Sequence, residues 1–106
     1  MPLTRSFKDT VQRRVQQDPA FAVALLAESV DAFLAGDVDT GKAVLRDYIN
    51  ATIGFETLAS ATGTPPKSLM RMFSPRGNPS ARHLFSVLGA LQAQASVHLY
   101  AQSAPA

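Results

Sequence analysis

The chain has 106 residues, and 46% of them are apolar, so it can form one hydrophobic core and is too apolar to be disordered over most of its length. It contains no cysteine, which excludes disulfide bonds, thiolate metal sites and cysteine nucleophiles. The net charge is +2, but residues 1–56 hold all eight acidic residues, whereas residues 57–106 hold four basic residues and no acidic one. A basic, acid-free half suits a polyanionic partner, and it also fits an ordinary solvated face.

No apolar run approaches the ~20 residues that a membrane-spanning helix needs. Charged side chains interrupt the first 14 residues, so the N-terminus does not have the pattern of a signal peptide. We therefore expect a cytoplasmic protein that does not associate with membranes.

Every periodic segment predicts a helix, and the expected fold is all-α, a small bundle of about six helices. The first helix begins near Thr4 or Ser6, carries Phe7, Val11 and Val15 at four-residue spacing, and ends before residue 18. In the second helix, the N-cap is residue 18 and the first helical position is residue 19, an Asp-Pro pair that suits a helix start. The second helix is expected to end at residue 36, a glycine.

Asp37 or Asp39 caps the predicted third helix, which Gly54 ends. Its inner face is predicted to carry Val44, Leu45, Tyr48, Ile49 and Thr52. A short fourth helix over residues 55–62 precedes Gly63, and a fifth runs from residue 66 to residue 74. After a turn over residues 75–79, a last helix is expected to begin at Ser80, with Leu84, Val87, Leu88 and Leu91 inward.

The predicted helices fall into three parts of the chain. Residues 1–35 are an N-terminal helical extension that packs on or beside the core, residues 36–92 are the central domain, and residues 93–106 are a helix extension with a frayed tail.

The segment from residue 55 to residue 73 matches the packing needs of two short helices joined by a tight turn. Leu58 faces the core, and the small Ala59 allows the next helix to approach closely. Gly63 suits a turn that requires a positive φ. Leu69 and Met72 can pack back onto Leu58. This arrangement is the helix-turn-helix of DNA-reading proteins, so residues 36–92 are predicted to be a helix-turn-helix DNA-binding domain.

The same spacing resembles the Cro-type (XRE) helix-turn-helix family, and from residue 36 to residue 91 the chain resembles the HigA-like antitoxins of toxin–antitoxin modules. The residues that carry the resemblance are 47–55 (DYINATIGF), Leu58-Ala59, Gly63, 65–72 (PPKSLMRM) and Gly77-Asn78-Pro79. The resemblance implies a lambda-repressor-like domain that binds its own operator as a homodimer and represses transcription. It also implies a RelE/HigB-like ribonuclease toxin as partner, and no cofactor.

The fifth helix is then the recognition helix, which enters the major groove of double-stranded DNA by its N-terminal end. Lysine, arginine and serine at its start can meet base edges, and polar residues after it can hold phosphates. The predicted DNA-binding residues are Pro66, Lys67, Ser68, Arg71, Arg76, Asn78 and Arg82. The same cations also fit a solvated helix surface.

Other functions have less support in the sequence. No serine has a matching His/Asp arrangement, and the two histidines have no metal-ligand spacing, so we expect neither an enzyme nor a metal site. A stand-alone XRE-type regulator without a toxin and a helical protein-interaction module without DNA binding remain the alternatives. The expected dimer surface is the last helix with Leu91, Ala95 and Leu99, or otherwise the N-terminal helix.

Overall fold

The computed structural model describes residues 3–106, with the side chains of residues 3–8 outside the described part. Six helices follow one another: α1 (Leu3–Gln17), α2 (Pro19–Leu34), α3 (Val38–Ala51), α4 (Gly54–Thr62), α5 (Pro66–Met72) and α6 (Ala81–Ala95). Residues 3–106 contain no β-strand. The protein is therefore a small all-α bundle, as predicted.

Three helices begin at side-chain caps that the sequence predicts. The carboxylate of Asp18 accepts hydrogen bonds from the N–H groups of Ala20 and Phe21 at 3.1 and 3.2 Å, and Pro19 occupies the first turn of α2. Asp37, rather than Asp39, caps α3 by accepting from the amide of residue 40 at 3.2 Å. The Ser80 hydroxyl accepts from the amide of residue 83 at 3.2 Å at the start of α6.

The end of α3 differs from the prediction. The helix stops at Ala51, and the Thr52 hydroxyl donates to the Tyr48 carbonyl at 2.7 Å. Thr52 is exposed, so its predicted place on the inner face is wrong, because the chain leaves the helix at this residue. Gly54 has a φ of +77° but begins α4 instead of ending α3.

One core joins α2 to the four later helices. Its fully buried side chains include Leu26 of α2, Leu45 and Ile49 of α3, and residues 58, 69, 87 and 91 of α4, α5 and α6. α1 packs on α2 and α3, where Val15 is buried. The side chain of Phe7, predicted to face the same way, lies outside the described part. Leu26 therefore ties the segment before residue 36 to the same core as α4–α6, while the division of the chain into domains stays a prediction.

The C-terminal segment folds back instead of continuing α6. Ser96 adopts a left-handed conformation with a φ of 56°, and the amide of residue 97 donates to the Gln92 carbonyl at 3.0 Å. The Leu99 amide then donates to the Gln92 side-chain oxygen at 2.7 Å, and Leu99 packs against the core. Leu91 is fully buried. The predicted pairing surface on Leu91, Ala95 and Leu99 is therefore wrong for Leu91, whereas the rest of that surface and dimerisation itself stay predictions.

None of the helices within residues 3–106 is long and apolar enough to span a membrane.

Burial raises the pKa of Tyr48, whose side chain is only 2% exposed in the core. The folded state therefore holds the phenol proton more tightly than the unfolded chain, where the pKa is about 10. The contribution to stability is fully present below about pH 10 and is lost as the pH rises through the higher folded value.

We predict that Tyr48 titrates above the ordinary tyrosine range in the folded protein. In a Tyr100→Phe variant, which leaves Tyr48 as the sole tyrosine, phenolate absorbance should rise only at a pH above about 10, and unfolding free energy should fall over the same interval. Ordinary titration of Tyr48 with the fold intact would contradict its burial.

Candidate nucleic-acid interface

The connection between α4 and α5 is a three-residue turn over residues 63–65. Gly63 has a φ of 73°, and its amide closes α4 by donating to the Ala59 carbonyl at 2.8 Å. The Thr62 hydroxyl donates to the Leu58 carbonyl at 2.9 Å, so this threonine satisfies the last turn of the helix without disturbing the connection. The turn glycine is therefore placed as the sequence predicts, because a left-handed conformation is easily reached only without a Cβ atom.

The start of α5 depends on two consecutive prolines. Pro65 is extended, with a φ of −57° and a ψ of 144°, and Pro66 is the first helical residue. A proline disfavours the helical conformation for the residue before it and suits the first turn of a helix. The predicted start of α5 at residue 66 is therefore confirmed. The helix ends at Met72, two residues before the predicted end, with residue 73 as its C-cap.

Helix α5 presents one apolar face and one basic face. Leu69 is fully buried, and Met72 packs partly buried against the core. Lys67 and Arg71, four residues apart, are exposed. Met70 is 48% exposed, because it follows the inward Leu69 by one residue and so lies on the outer face.

The predicted DNA-binding residues fall into two groups with one outlier. Pro66 and Ser68 are half-buried and lie with exposed Lys67 in the first turn of α5. Arg71, Arg76 and Asn78 are exposed and line one concavity of about 340 Å³. Arg82 is also exposed, in the first turn of α6, and does not line that concavity. Among the described residues, none of the side chains of Lys67, Arg71, Arg76 and Arg82 has an ion-pair or hydrogen-bond partner.

One carboxylate lies near the start of α5. Glu56 in the first turn of α4 lines a shallow concavity of about 370 Å³ together with the turn residues and Pro66. It is the last acidic residue of the chain. The concavity lined by Arg71, Arg76 and Asn78, in contrast, has no acidic residue in its lining.

Two cations of α3 hold the end of α5 and the segment that follows it. Arg46 donates from its guanidinium to the Phe73 carbonyl at 2.8 Å. Lys42 is only 3% exposed, and its ammonium donates to the carbonyls of Ser74 at 3.2 Å, Pro75 at 3.3 Å and Gly77 at 2.5 Å. A cation suits the Phe73 carbonyl because the carbonyls at a helix C-terminus lack partners within the helix and carry partial negative charge.

The turn after α5 also requires a close approach of two main-chain segments. A Cβ atom at Gly77 would overlap the main-chain oxygen of Arg71, so no other residue fits without a shift of the backbone. The Arg71 oxygen already accepts from the Ser74 amide and hydroxyl, at 3.2 and 2.7 Å. Gly77 is thus fixed against the last turn of the helix that carries the basic face.

Sequence reasoning missed Lys42, Arg46 and Phe73. Phe73 is fully buried at the end of α5, although the sequence placed no anchor there. Lys42 had a detectable signal, because it precedes the inward Leu45 and Ile49 by three and seven residues and so falls on the apolar face of α3. A lysine within such an apolar stripe indicates that its ammonium has a buried hydrogen-bond partner.

Comparison of the chain with protein-family models, with curated proteins and with solved structures gives no match.

We predict that Gly77→Ala lowers the free energy of unfolding by about 1–3 kcal/mol, because the added methyl group must displace the backbone at Arg71. Gly89→Ala is the matched control, since a Cβ at this exposed position inside α6 meets nothing within 4 Å. This variant should gain about 0.5–1 kcal/mol from helix propensity. Denaturant unfolding measures both, and equal values for the two variants would contradict the close approach at Gly77.

Proposed function

We propose that the chain is a sequence-specific double-stranded DNA-binding protein that represses transcription. The observation that carries this proposal is the exposed basic face of α5, directly after a glycine turn that joins it to α4. A short helix joined in this way to a preceding helix, with its inner side buried and its outer side cationic, has the form of a recognition helix.

In the proposed complex, the first turn of α5 enters the major groove. Lys67 can donate to the O6 and N7 atoms of guanine, and Ser68 can pair with either base edge. Pro66 sets the direction of the chain at the point where the helix approaches the DNA. The free state of Lys67 and Arg71 supports this role, because neither cation has to break an intramolecular pair before it binds.

Arg71, Arg76, Asn78 and Arg82 extend the contact beyond the first turn of α5. Arg76, Asn78 and Arg82 are assigned to the phosphate backbone, which orients the protein without specifying the sequence. The absence of acidic residues from 57 to 106 favours this contact, since no carboxylate in that half repels the phosphates.

We propose further that the protein is the antitoxin of a type II toxin–antitoxin module. This part rests on the resemblance of residues 36–91 to HigA-like antitoxins, which implies a homodimer on a two-fold operator and a RelE/HigB-like toxin as protein partner. A stand-alone regulator has the same DNA-binding residues and lacks the toxin. The proposal assigns the chain no catalytic role and no cofactor.

We predict that the protein binds DNA from upstream of its own gene and that affinity falls steeply with salt. Lys67→Ala and Arg71→Ala should each cost about 1–3 kcal/mol of binding and relax specificity at one base position. Arg13→Ala, which removes an exposed cation of α1, is the charge-matched control and should bind nearly as well as the unchanged protein. Fluorescence anisotropy over a salt series measures these effects.

Two results would count against this assignment. Undetectable affinity at low salt would contradict DNA binding altogether. Equal losses on every DNA sequence would mean that Lys67 and Arg71 touch only phosphates, and the base-reading role would then be wrong.

The antitoxin part has its own test. If the neighbouring gene encodes a small basic protein, co-expression should yield a stable complex with this chain, and the complex should neutralise the growth arrest caused by that protein alone. DNA binding without such a partner would establish the stand-alone regulator instead.

A further inference from the structure

Lys42 is a buried cation with an unusual set of partners. Its three ammonium protons face three main-chain carbonyls, those of residues 74, 75 and 77. The single carboxylate nearby, that of Asp39, is 3.7 Å away and 91% exposed, so solvent weakens this ion pair. The charge of the buried ammonium is thus compensated mainly by the main-chain carbonyls of the loop after α5.

The carbonyl contacts determine which way the loop presents its amides. All described peptide bonds are trans, and in a trans peptide the C=O and the following N–H point in opposite directions. Because the carbonyls of residues 75 and 77 point inward to Lys42, the amides of Arg76 and Asn78 point away from it. Neither amide donates to a protein acceptor within the described part of the chain.

These two amides lie beside cationic and polar side chains. Arg71, Arg76 and Asn78 line the concavity of about 340 Å³ next to the loop, and none of their side chains has a partner in the described structure. Outward amides together with arginine side chains are the donor set that binds phosphate oxygens.

We propose that Lys42 is a positioning residue for a phosphate-binding loop, residues 74–78, in which the amides of Arg76 and Asn78 and the guanidinium of Arg76 hold one phosphodiester group of the DNA backbone. This inference rests on the proposed DNA-binding function for the source of the phosphate. Lys42 itself is buried and does not touch the DNA; it acts by holding the loop carbonyls inward. Loss of its ammonium leaves the carbonyls of Pro75 and Gly77 without a partner, and these two peptide units can then rotate, whereas the Ser74 carbonyl still accepts from the Gly77 amide at 3.0 Å.

The DNA experiment compares Lys42→Met with Arg13→Met, which removes the same charge at an exposed position of α1. Lys42→Met should weaken binding about tenfold or more on every DNA sequence, as expected for loss of a charged hydrogen bond. It should also reduce the slope of log affinity against log salt concentration by about 1 for each bound copy. Arg13→Met should leave the slope unchanged.

A double-mutant cycle separates positioning from a general loss of stability. If Lys42 acts through the loop, Arg76→Ala should weaken binding strongly in the unchanged protein and less than about twofold in the Lys42→Met background. A purely structural role of Lys42 would leave the effect of Arg76→Ala the same in both backgrounds, and this result would overturn the proposal. Thermal unfolding of each variant establishes that the protein is folded under the binding conditions.

A second measurement needs neither DNA nor a variant. Inorganic phosphate added to ¹⁵N-labelled protein should shift the amide resonances of Arg76 and Asn78 in a saturable way, whereas sodium chloride of equal ionic strength should not. Absence of this shift would overturn the proposed phosphate binding by residues 74–78, even if Lys42→Met fails to fold. A shift in a protein that binds no DNA would refute the proposed function and retain the loop as a phosphate site.

Discussion

The contacts between α3 and the carbonyls of residues 73, 74, 75 and 77 are the constraint on which the candidate interface depends. Helix α5 has seven residues, far fewer than the ~12–15 that an isolated helix needs to be even marginally stable. Its position therefore comes from tertiary contacts. Leu69 and Phe73 anchor its inner side in the core, and Lys42 and Arg46 hold its C-terminal end. The basic face of α5 therefore keeps its position because α3 and the core hold the helix.

This support explains how the outer surface can remain open. Lys42 and Arg46 of α3 donate to carbonyls at and after the end of α5. Arg71 and Arg76 are therefore not needed as caps or as ion-pair partners. The acid-free sequence after residue 56 removes carboxylates that would otherwise pair with them. If the surface binds DNA as proposed, these cations are free before binding and the backbone beneath them is already held, so little backbone conformational entropy would be lost.

The parts of this fold that the sequence predicted are those determined by neighbours in the chain. The caps at Asp18 and Ser80 and the turn at Gly63 follow from residues within four positions, so local patterns identified them. Lys42 reaches carbonyls 32 to 35 residues away, and no local pattern specifies which loop will arrive there. The C-terminal segment likewise folds back through the side chain of Gln92, whose oxygen accepts from the Leu99 amide. No local pattern in the sequence distinguishes this glutamine from an ordinary polar residue of α6. The DNA-binding residues were proposed from spacing, and their exposure is compatible with that proposal without testing it.

The lysine at position 42 links α3 to the loop that follows the basic helix α5. An apolar residue of similar size would be cheaper to bury, because replacing a buried charge by a hydrophobic side chain often costs no stability. The Ser74 carbonyl would keep its bond from the Gly77 amide, but such a residue could not hold the carbonyls of Pro75 and Gly77, which would need other partners or would turn toward solvent. Turning them outward would bring the amides of Arg76 and Asn78 inward. The buried ammonium therefore does something that packing cannot do, since it sets the direction in which the loop presents its donors. In the proposed function, the interface depends on α3 as well as on the α4–α5 pair, and a change at position 42 should alter the proposed DNA binding even where every surface residue is unchanged.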